Sequence, residues 1–303
     1  MGEKSVSIVI PTYQRPLKLE RAIDSALNQT FPNLEIIVVD DNNPGTLERE
    51  ETEALMQKYK EISKVKYVKH KFNKNGSAAR NTGFRHSTGD YIMFLDDDDE
   101  FLPNKAEAQI NCLEERDDTW GACYTKYKRL KNGKLNTIGV ESKEGNLYFE
   151  ELCRNLFIQA GSNLMLTREA FEDIGGFDES FDRNQDIEFT VRLLKKYKLA
   201  YVNEMGLIHH MEPQKRFFDM EEITEHYISV FEKYINDLPK VKRDKFYKLI
   251  NLQLFRYKLV NKRNYLEVLI MMKNKNVSII DVLRYFLHLG YRRVFKKSYG
   301  FNI

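Results

Sequence analysis

Short apolar runs alternate with amphipathic stretches over the first 115 residues of the chain. Four runs are nearly continuous in aliphatic and aromatic residues, at 5–10, 34–39, 65–68 and 91–95. Such runs are typical of strands that are covered on both faces of a parallel sheet. The stretch after Pro16 places Leu19, Ile23 and Leu27 on one helical face. This alternation predicts an α/β fold with a doubly wound, Rossmann-like sheet.

The pattern changes twice along the rest of the chain. Residues 116–214 mix strands and helices, with a hairpin turn at Lys131-Asn132-Gly133 and a strand predicted at 159–166. Beyond residue 215 only helical periodicity is left, at 220–236, 240–260, 263–273 and 278–296. We therefore predict a mixed-sheet domain over 1–214, with halves at 1–115 and 116–214, and a helical module over 215–303.

Polar clusters follow three of the predicted strands. Pro11-Thr12-Tyr13 ends the first strand, Asp40-Asp41 ends the second, and Asp96-Asp97-Asp98-Asp99 ends the fourth. Ligands of wound sheets bind at the carboxyl ends of the strands, so these clusters predict a binding site. Four adjacent carboxylates repel one another, and a divalent cation would compensate their charge. A solvated acidic turn is the simpler alternative for these aspartates.

Composition excludes several classes of protein. The 303 residues are 42% hydrophobic and 31% charged, as in globular domains, and the net charge of +3 gives no reason to expect nucleic-acid binding. Three cysteines without a CxxC pair predict neither a disulfide scaffold nor a zinc site, and favour a reducing cytoplasm. No apolar run approaches the roughly 20 residues of a membrane span. The chain has neither GxGxxG nor GxxxxGK[ST], which disfavours dinucleotide dehydrogenases and P-loop NTPases.

Five motifs in order resemble those of family 2 glycosyltransferases, which have the GT-A fold. The resemblance spans about residues 5–212. It rests on Val6-Ser7-Ile8-Val9-Ile10-Pro11-Thr12-Tyr13, Val38-Val39-Asp40-Asp41-Asn42, Gly76-Ser77-Ala78-Ala79-Arg80-Asn81-Thr82-Gly83, the Asp96–Asp99 loop followed by Pro103, and Gly175-Gly176-Phe177-Asp178-Glu179 followed by Gln185-Asp186. The family usually has Glu-Asp where this chain has Gln185-Asp186, so the second acid of that pair is absent.

The resemblance implies a role for each motif. Pro11, Thr12, Tyr13 and Asp40 would hold the nucleoside, with Tyr13 stacking on the base and Asp40 accepting from its N–H group. Arg80, Asp96 and Asp97 would lie near the nucleotide. Asp98, with Asp96, would bind Mn²⁺ or Mg²⁺, with His209 or His210 as a further ligand. Asp186 would be the catalytic base, and Gly161, Ser162, Asn163 and Gln185 would line the sugar or acceptor pocket.

These roles together imply an inverting hexosyl- or N-acetylhexosaminyl-transferase of surface polysaccharide assembly. The donor would be a nucleotide-sugar, most plausibly a UDP-sugar, and the acceptor a glycan or lipid-linked hydroxyl. One base without a covalent nucleophile implies single displacement. A nucleotidyltransferase and a non-catalytic sugar-nucleotide-binding module are the alternatives. A nucleotidyltransferase would carry a loop rich in glycine and basic residues after the first strand, which Pro11–Arg15 does not resemble.

Each residue also has a structural interpretation. Tyr13 could pack as a core tyrosine. Asp186 could be an acid that the helix dipole favours. The histidines could have satisfied structural partners rather than a metal.

The last predicted helix is apolar, aromatic and basic. Residues 273–303 hold seven Lys or Arg and one acid, Asp281. Such a segment suits an anionic membrane surface, which would place the protein at the inner face of the membrane. Packing on the rest of the chain, or on a second copy in a homodimer, is the alternative.

Overall fold

The computed structural model describes residues 4–181, 184–211, 219–262 and 277–302. The chain forms two compact units, the first comprising Met1–Tyr148 and Phe157–Met211, and the second Phe149–Leu156 and Glu212–Ile303. The boundary predicted at residue 214 stays a prediction, because residues 212–218 lie outside the described ranges. The second unit includes Phe149–Leu156, a segment that the sequence pattern assigned to the first domain.

Ten strands are described, and nine of them lie in the first unit, where they pair into a mixed sheet. The strands are β1 (Val6–Thr12), β2 (Leu34–Asp40), β3 (Val65–Lys69), β4 (Tyr91–Phe94), β5 (Glu100–Phe101), β6 (Trp120–Lys131), β7 (Lys134–Gly139), β8 (Leu164–Thr167), β9 (Lys198–Met211) and β10 (Lys297–Ser298). Strands β7, β6, β8, β4, β1, β2 and β3 lie side by side in that order, and β9 pairs with β5 and β6. The predicted α/β class with a doubly wound sheet is confirmed.

The helices that the structure describes connect these strands and form most of the second unit. They are α1 (Pro16–Leu27), α2 (Leu47–Met56), α3 (Gly76–Arg85), α4 (Lys105–Glu114), α5 (Tyr148–Leu152), α6 (Ala160–Asn163), α7 (Arg168–Asp173), α8 (Gln185–Lys196), α9 (Met220–Val230), α10 (Glu232–Asn236), α11 (Lys240–Tyr257) and α12 (Ile279–Val294). The helix predicted at 263–273 lies outside the described residues.

Parallel pairing brings three strand ends to one edge of the sheet. Strand β1 pairs in parallel with β2 and β4, with Thr12 opposite Asp40 and Val9 opposite Phe94. The apolar residues of these strands, such as Ile8 and Ile36, are fully buried, and burying them stabilises this central sheet. The register therefore places Thr12, Asp40 and the start of the aspartate run at neighbouring strand ends.

One prediction of local structure in the second half is wrong in part. The strand predicted at 159–166 is a one-turn helix, α6, followed by β8 at Leu164–Thr167. Gln159 takes a left-handed conformation (φ 61°) that is incompatible with an extended strand. Strand β9 runs without interruption from Lys198 to Met211 along β6.

The second unit is held together by contacts between distant segments. The Tyr227 hydroxyl donates a hydrogen bond to the Leu152 carbonyl (2.8 Å). Asn155 and Phe301 exchange two hydrogen bonds of 2.8 Å between the Asn155 amide and the Phe301 backbone. Tyr285 of α12 packs edge-on against Phe301, with ring centroids 5.2 Å apart. These contacts fix one face of α12.

Candidate active site

Two clefts lie at the strand ends, and they share a wall. The first, about 420 Å³, is lined by predicted residues of the nucleotide site, by Arg15, and by the loop after β3: Pro11, Thr12, Tyr13, Arg15, Asp41, Asn73, Asn75, Gly76, Ala79, Arg80, Asp96, Asp97 and Gln185. The second, about 290 Å³, is lined by Arg80, Asp96, Gln159, Gly161, Asn184, Gln185 and Asp186. Arg80, Asp96 and Gln185 belong to both linings, so the two clefts adjoin at these three side chains.

Arg80 holds this shared wall together. Its guanidinium donates to the Asp96 carboxylate at 2.5 Å and to the Gln185 side-chain oxygen at 3.1 Å. Arg80 comes from α3, Asp96 from the loop after β4, and Gln185 from the start of α8. The backbone N–H of Asp96 donates to the Ser162 hydroxyl (3.1 Å), which ties α6 to the same loop. Charge-assisted bonds of this kind orient the carboxylate strongly.

The four consecutive aspartates have different partners. Asp97 accepts from the Thr12 hydroxyl (2.8 Å) and from Arg15 (3.0 Å), and Asp98 forms an ion pair with Arg15 at 2.7 Å. Asp99 pairs with His209 Nδ1 at 2.9 Å. The chain leaves β4 at Phe94 and turns within these residues, which directs successive side chains to different neighbours. The solvated acidic turn considered from the sequence is excluded, since Asp97, Asp98 and Asp99 are buried.

Burial controls the acidity of two of these aspartates. It raises the pKa of the Asp97 carboxyl to about 7, and Arg15 opposes that rise. It also raises the pKa of Asp98, with Asp96 and Asp99 adding to the effect and Arg15 again opposing it. Carboxylates that share a site disfavour each other's ionisation, so the neighbouring aspartates act in the same direction as burial.

Asp186 lies at the start of α8, in the second cleft. Burial raises the pKa of its carboxyl, the charge of Asp96 adds to the rise, and a backbone N–H group and Arg80 oppose it. A raised pKa is the direction that makes a carboxylate a better proton acceptor. The place of Asp186 in the first turn of α8 is also the place that the helix dipole favours for an acid, so both interpretations of Asp186 stay open.

Asp40 and Asp41 are adjacent carboxylates with different surroundings. Asp40 is fully buried, accepts a hydrogen bond from the Tyr67 hydroxyl (2.5 Å) and forms an ion pair with Arg49 (3.3 Å). Asp41 lines the cleft and accepts from the backbone N–H groups of Lys74 and Asn75 at 2.9 and 3.0 Å. The contact with the base that was predicted for Asp40 stays a prediction.

The remaining predicted residues divide between the cleft and its support. Tyr13 is 41% exposed, which excludes the interpretation as a core tyrosine. Gly161 lies against Asp96, where an added Cβ would come within 3.2 Å of the carboxylate. Asn163 is fully buried and accepts from the Lys105 ammonium at 2.7 Å, so it supports the site from beneath. His210 pairs with Glu100 (3.2 Å).

Several cleft residues had no predicted role. Arg15, Asn73, Asn75 and Gln159 all line the clefts or touch the aspartates. Asn73 and Asn75 could have been found from the sequence, since their polar loop follows the third parallel strand and must lie at the same edge. Gln159 could not, because its position depends on the helix at 160–163 that the pattern did not predict.

Within residues 4–181, 184–211, 219–262 and 277–302, no three His, Cys, Asp or Glu side chains converge on a point that would suit a metal ion. Mg²⁺ sites often need only one or two carboxylates, however, because substrate phosphates complete the coordination. The donor set here is of that kind, since Asp96 and Asp98 are hard oxygen donors two residues apart in the loop after β4.

The chain belongs to glycosyl transferase family 2, whose sequence profile matches residues 7–175. It is 35% identical over 209 residues to an uncharacterized glycosyltransferase of Rickettsia bellii, which covers 67% of this chain and 29% of the relative. The chain therefore spans less than a third of that relative's length. It is 25% identical over 203 residues to the Escherichia coli UDP-Glc:alpha-D-GlcNAc-diphosphoundecaprenol beta-1,3-glucosyltransferase WfgD, covering 67% of this chain and 75% of the relative.

Solved structures share the fold. Residues 1–349 of S. aureus TarS in complex with UDP-GlcNAc superpose with a TM-score of 0.64 at 16% identity, covering 95% of this chain and 80% of that one. The mannosyltransferase PcManGT from Pyrobaculum calidifontis, in complex with GDP-Man and Mn²⁺, gives a TM-score of 0.55 at 18% identity over 96% of this chain and 81% of that one. The resemblance found in the sequence and the GT-A fold are thus confirmed.

Proposed function

We propose that this chain is an inverting, metal-dependent glycosyltransferase. It would move a hexosyl or N-acetylhexosaminyl group from a UDP-sugar to a hydroxyl group of a glycan or lipid-linked acceptor in surface polysaccharide assembly. The observation that carries the proposal is the pair of clefts that meet at Arg80, Asp96 and Gln185. One cleft offers aromatic and cationic groups, which suit a nucleotide, and the other offers the carboxylate of Asp186, which suits a base.

The larger cleft would hold the nucleotide. The exposed ring of Tyr13 offers a stacking surface for a base. Asp41 orders the loop at Asn73–Asn75 beside it through hydrogen bonds to the backbone. Arg15 and Arg80 supply two guanidinium groups at the end nearer the aspartates, and such groups favour phosphates. UDP is favoured because WfgD is named for a UDP-Glc donor and the TarS complex contains UDP-GlcNAc.

The aspartate loop fits a divalent cation, for which PcManGT with Mn²⁺ is a precedent in the fold. Asp98 and Asp96 would hold the ion together with the phosphates of the donor. Such an ion, when bound, supplies a Lewis acid that neutralises charge on the departing diphosphate. His209 and His210 already pair with Asp99 and Glu100, so either would need its other ring nitrogen to act as a ligand.

The smaller cleft would hold the transferred sugar and the acceptor hydroxyl. Asp186 would take the proton of that hydroxyl as it attacks the anomeric carbon. The other carboxylate in this lining, Asp96, is bound by Arg80 and is therefore a poor nucleophile. A single displacement with inversion follows. Gly161 leaves room beside Asp96, where any larger residue would narrow the cleft.

The test measures donor binding and turnover separately. Purified full chain is screened with UDP-, GDP- and dTDP-sugars by thermal shift and by release of nucleotide, with and without Mn²⁺. We expect UDP-sugars to bind, Asp186→Asn to retain that binding, and its turnover to fall by about 10²–10⁴-fold. Asp173→Asn, at an exposed carboxylate that pairs with Lys196, is the matched control and should behave as wild type.

Each other outcome refutes one part of the proposal. Unchanged turnover in Asp186→Asn would exclude this residue as the base. Binding of GDP-sugars alone would exclude the UDP assignment. Binding of a UDP-sugar without any turnover on a panel of hydroxyl acceptors would support a non-catalytic binding module instead.

A further inference from the structure

One face of α12 exposes six large apolar side chains, and Phe295, directly after the helix, adds a seventh. Ile280, Leu287 and Val294 are 69, 73 and 75% exposed, and the others are also mostly open to solvent. We refer to this set as the apolar stripe, which consists of Ile279, Ile280, Leu283, Leu287, Tyr291, Val294 and Phe295. Single exposed apolar residues are ordinary, but a contiguous row of this size marks a surface that contacts something.

Helical geometry gathers the apolar stripe into one arc. With about 3.6 residues per turn, the helical positions from Ile279 to Val294 fall within an arc of about 120°. Arg284 and Arg293 flank this arc on its two sides, and both are exposed. The opposite face carries Tyr285, which packs on Phe301. The helix is therefore anchored on one side and presents an apolar surface with basic edges on the other.

The charge of this segment selects the partner. Residues 277–302 contain five Lys or Arg and a single acid, Asp281. That acid caps the helix through Ser278 and pairs with Lys248 at 3.0 Å, so it is already engaged. If this segment packed on the same segment of a second copy, basic residues would face basic residues. Asp281 could not compensate them, because Ser278 and Lys248 already bind it. An anionic surface with an apolar interior offers both complements at once.

We propose that the apolar stripe docks onto an anionic lipid bilayer, with α12 lying in the plane of the interface. Leu283, Leu287 and Val294 enter the boundary between headgroups and acyl chains, and Arg284 and Arg293 extend to the lipid phosphates on either side. Within the described residues no helix combines the length and the apolar character that crossing a bilayer requires, which fits docking at the interface. The inference is independent of the proposed activity, because it uses no residue of the clefts.

Vesicle co-sedimentation of the full chain tests the proposal. We expect binding to vesicles that contain phosphatidylglycerol and little binding to phosphatidylcholine alone. Leu283→Glu/Leu287→Glu should abolish sedimentation. Arg284→Gln/Arg293→Gln should lower the partition coefficient by about 30-fold, the factor expected for two basic groups near an anionic surface. Leu47→Glu/Val241→Glu changes two equally exposed apolar residues on other helices and should bind as wild type.

Three results would overturn the proposal. These are absence of vesicle binding by the wild-type chain, equal binding to neutral and anionic vesicles, and equal loss in the control variant. Sedimentation velocity without lipid identifies the competing partner. A dimer that forms in the wild type and disappears in Leu283→Glu/Leu287→Glu, without vesicle binding, would assign the apolar stripe to a second copy. Nucleotide binding, measured on the same variants, should be unchanged and reports separately on the clefts.

Discussion

Arg15 is the cation that contacts both Asp97 and Asp98, and its removal tests the electrostatic account of the site. Its guanidinium lies 3.0 Å from Asp97 and 2.7 Å from Asp98. The change Arg15→Gln removes the charge and keeps a hydrogen-bonding side chain of similar length. The negative charges of Asp97 and Asp98 would then lack the positive charge of Arg15. The folded state should therefore lose stability at every pH at which both carboxylates are ionised.

The magnitude follows from distance and exposure. At about 3 Å and an effective dielectric constant of about 20, each pair would be worth about 5 kcal/mol by Coulomb's law. The Arg15 side chain is 45% exposed, however. Solvent screening and the entropy of holding the side chain reduce such pairs to about 1 kcal/mol each. We therefore expect Arg15→Gln to lower the free energy of unfolding by about 2 kcal/mol at pH 8.

The loss should depend on pH in a defined direction. The pKa of Asp97 is raised to about 7 in the folded state, so this carboxyl is protonated at pH 5 and ionised at pH 8. The folded chain binds a proton that the unfolded chain releases, and stability from this group falls as pH rises from about 4 to 7. At pH 5 the pair with the protonated Asp97 no longer contributes, so the expected loss is at most about 1 kcal/mol, from the pair with Asp98.

Urea unfolding at pH 5 and pH 8 measures both values. Lys58→Gln is the matched control, because it removes the same charge from an exposed pair with Glu20 (2.8 Å) and should cost close to nothing. Mn²⁺ should raise the urea midpoint of Arg15→Gln more than that of the wild type, since an ion can then replace the guanidinium. Equal losses at the two pH values, or a loss no larger than that of Lys58→Gln, would refute the reasoning.

Three further predictions concern other parts of the site. The ratio kcat/KM should rise with pH through a limb whose midpoint lies above the usual pKa of aspartate near 4, because burial raises the pKa of Asp186; a midpoint at or below pH 4 would contradict this. Asp41→Asn should weaken UDP binding about tenfold in calorimetry by loosening the loop at Asn75, while an unchanged affinity would remove Asp41 from the nucleotide site. Burial lowers the pKa of Lys105 to about 7, so wild-type stability should gain from about pH 7 to 10, and urea unfolding of Lys105→Met should lack that gain.

Patterns of local sequence were sufficient for the framework of the fold. The sequence predicted β1, β2 and β4 and the helix after Pro16. Strands that are buried on both faces consist almost entirely of apolar residues, so they can be recognised from composition. The meeting of their carboxyl ends then followed from parallel topology. The helix at 160–163 was missed because its small and polar residues carry no periodicity, and its conformation depends on distant partners such as Lys105 and Asp96.

The roles of the four consecutive aspartates could not be predicted from the sequence alone, because identical side chains cannot be distinguished by residue type. In the fold, three separate segments give three of them different partners. Thr12 contacts Asp97, Arg80 contacts Asp96 and His209 contacts Asp99. Thr12 and Arg15 hold Asp97, and His209 holds Asp99. Asp98 forms an ion pair with the half-exposed Arg15, which is the group that a divalent ion could displace at least cost. The same reasoning separates Asp40 from Asp41, because burial behind Tyr67 removes one of two adjacent carboxylates from the cleft.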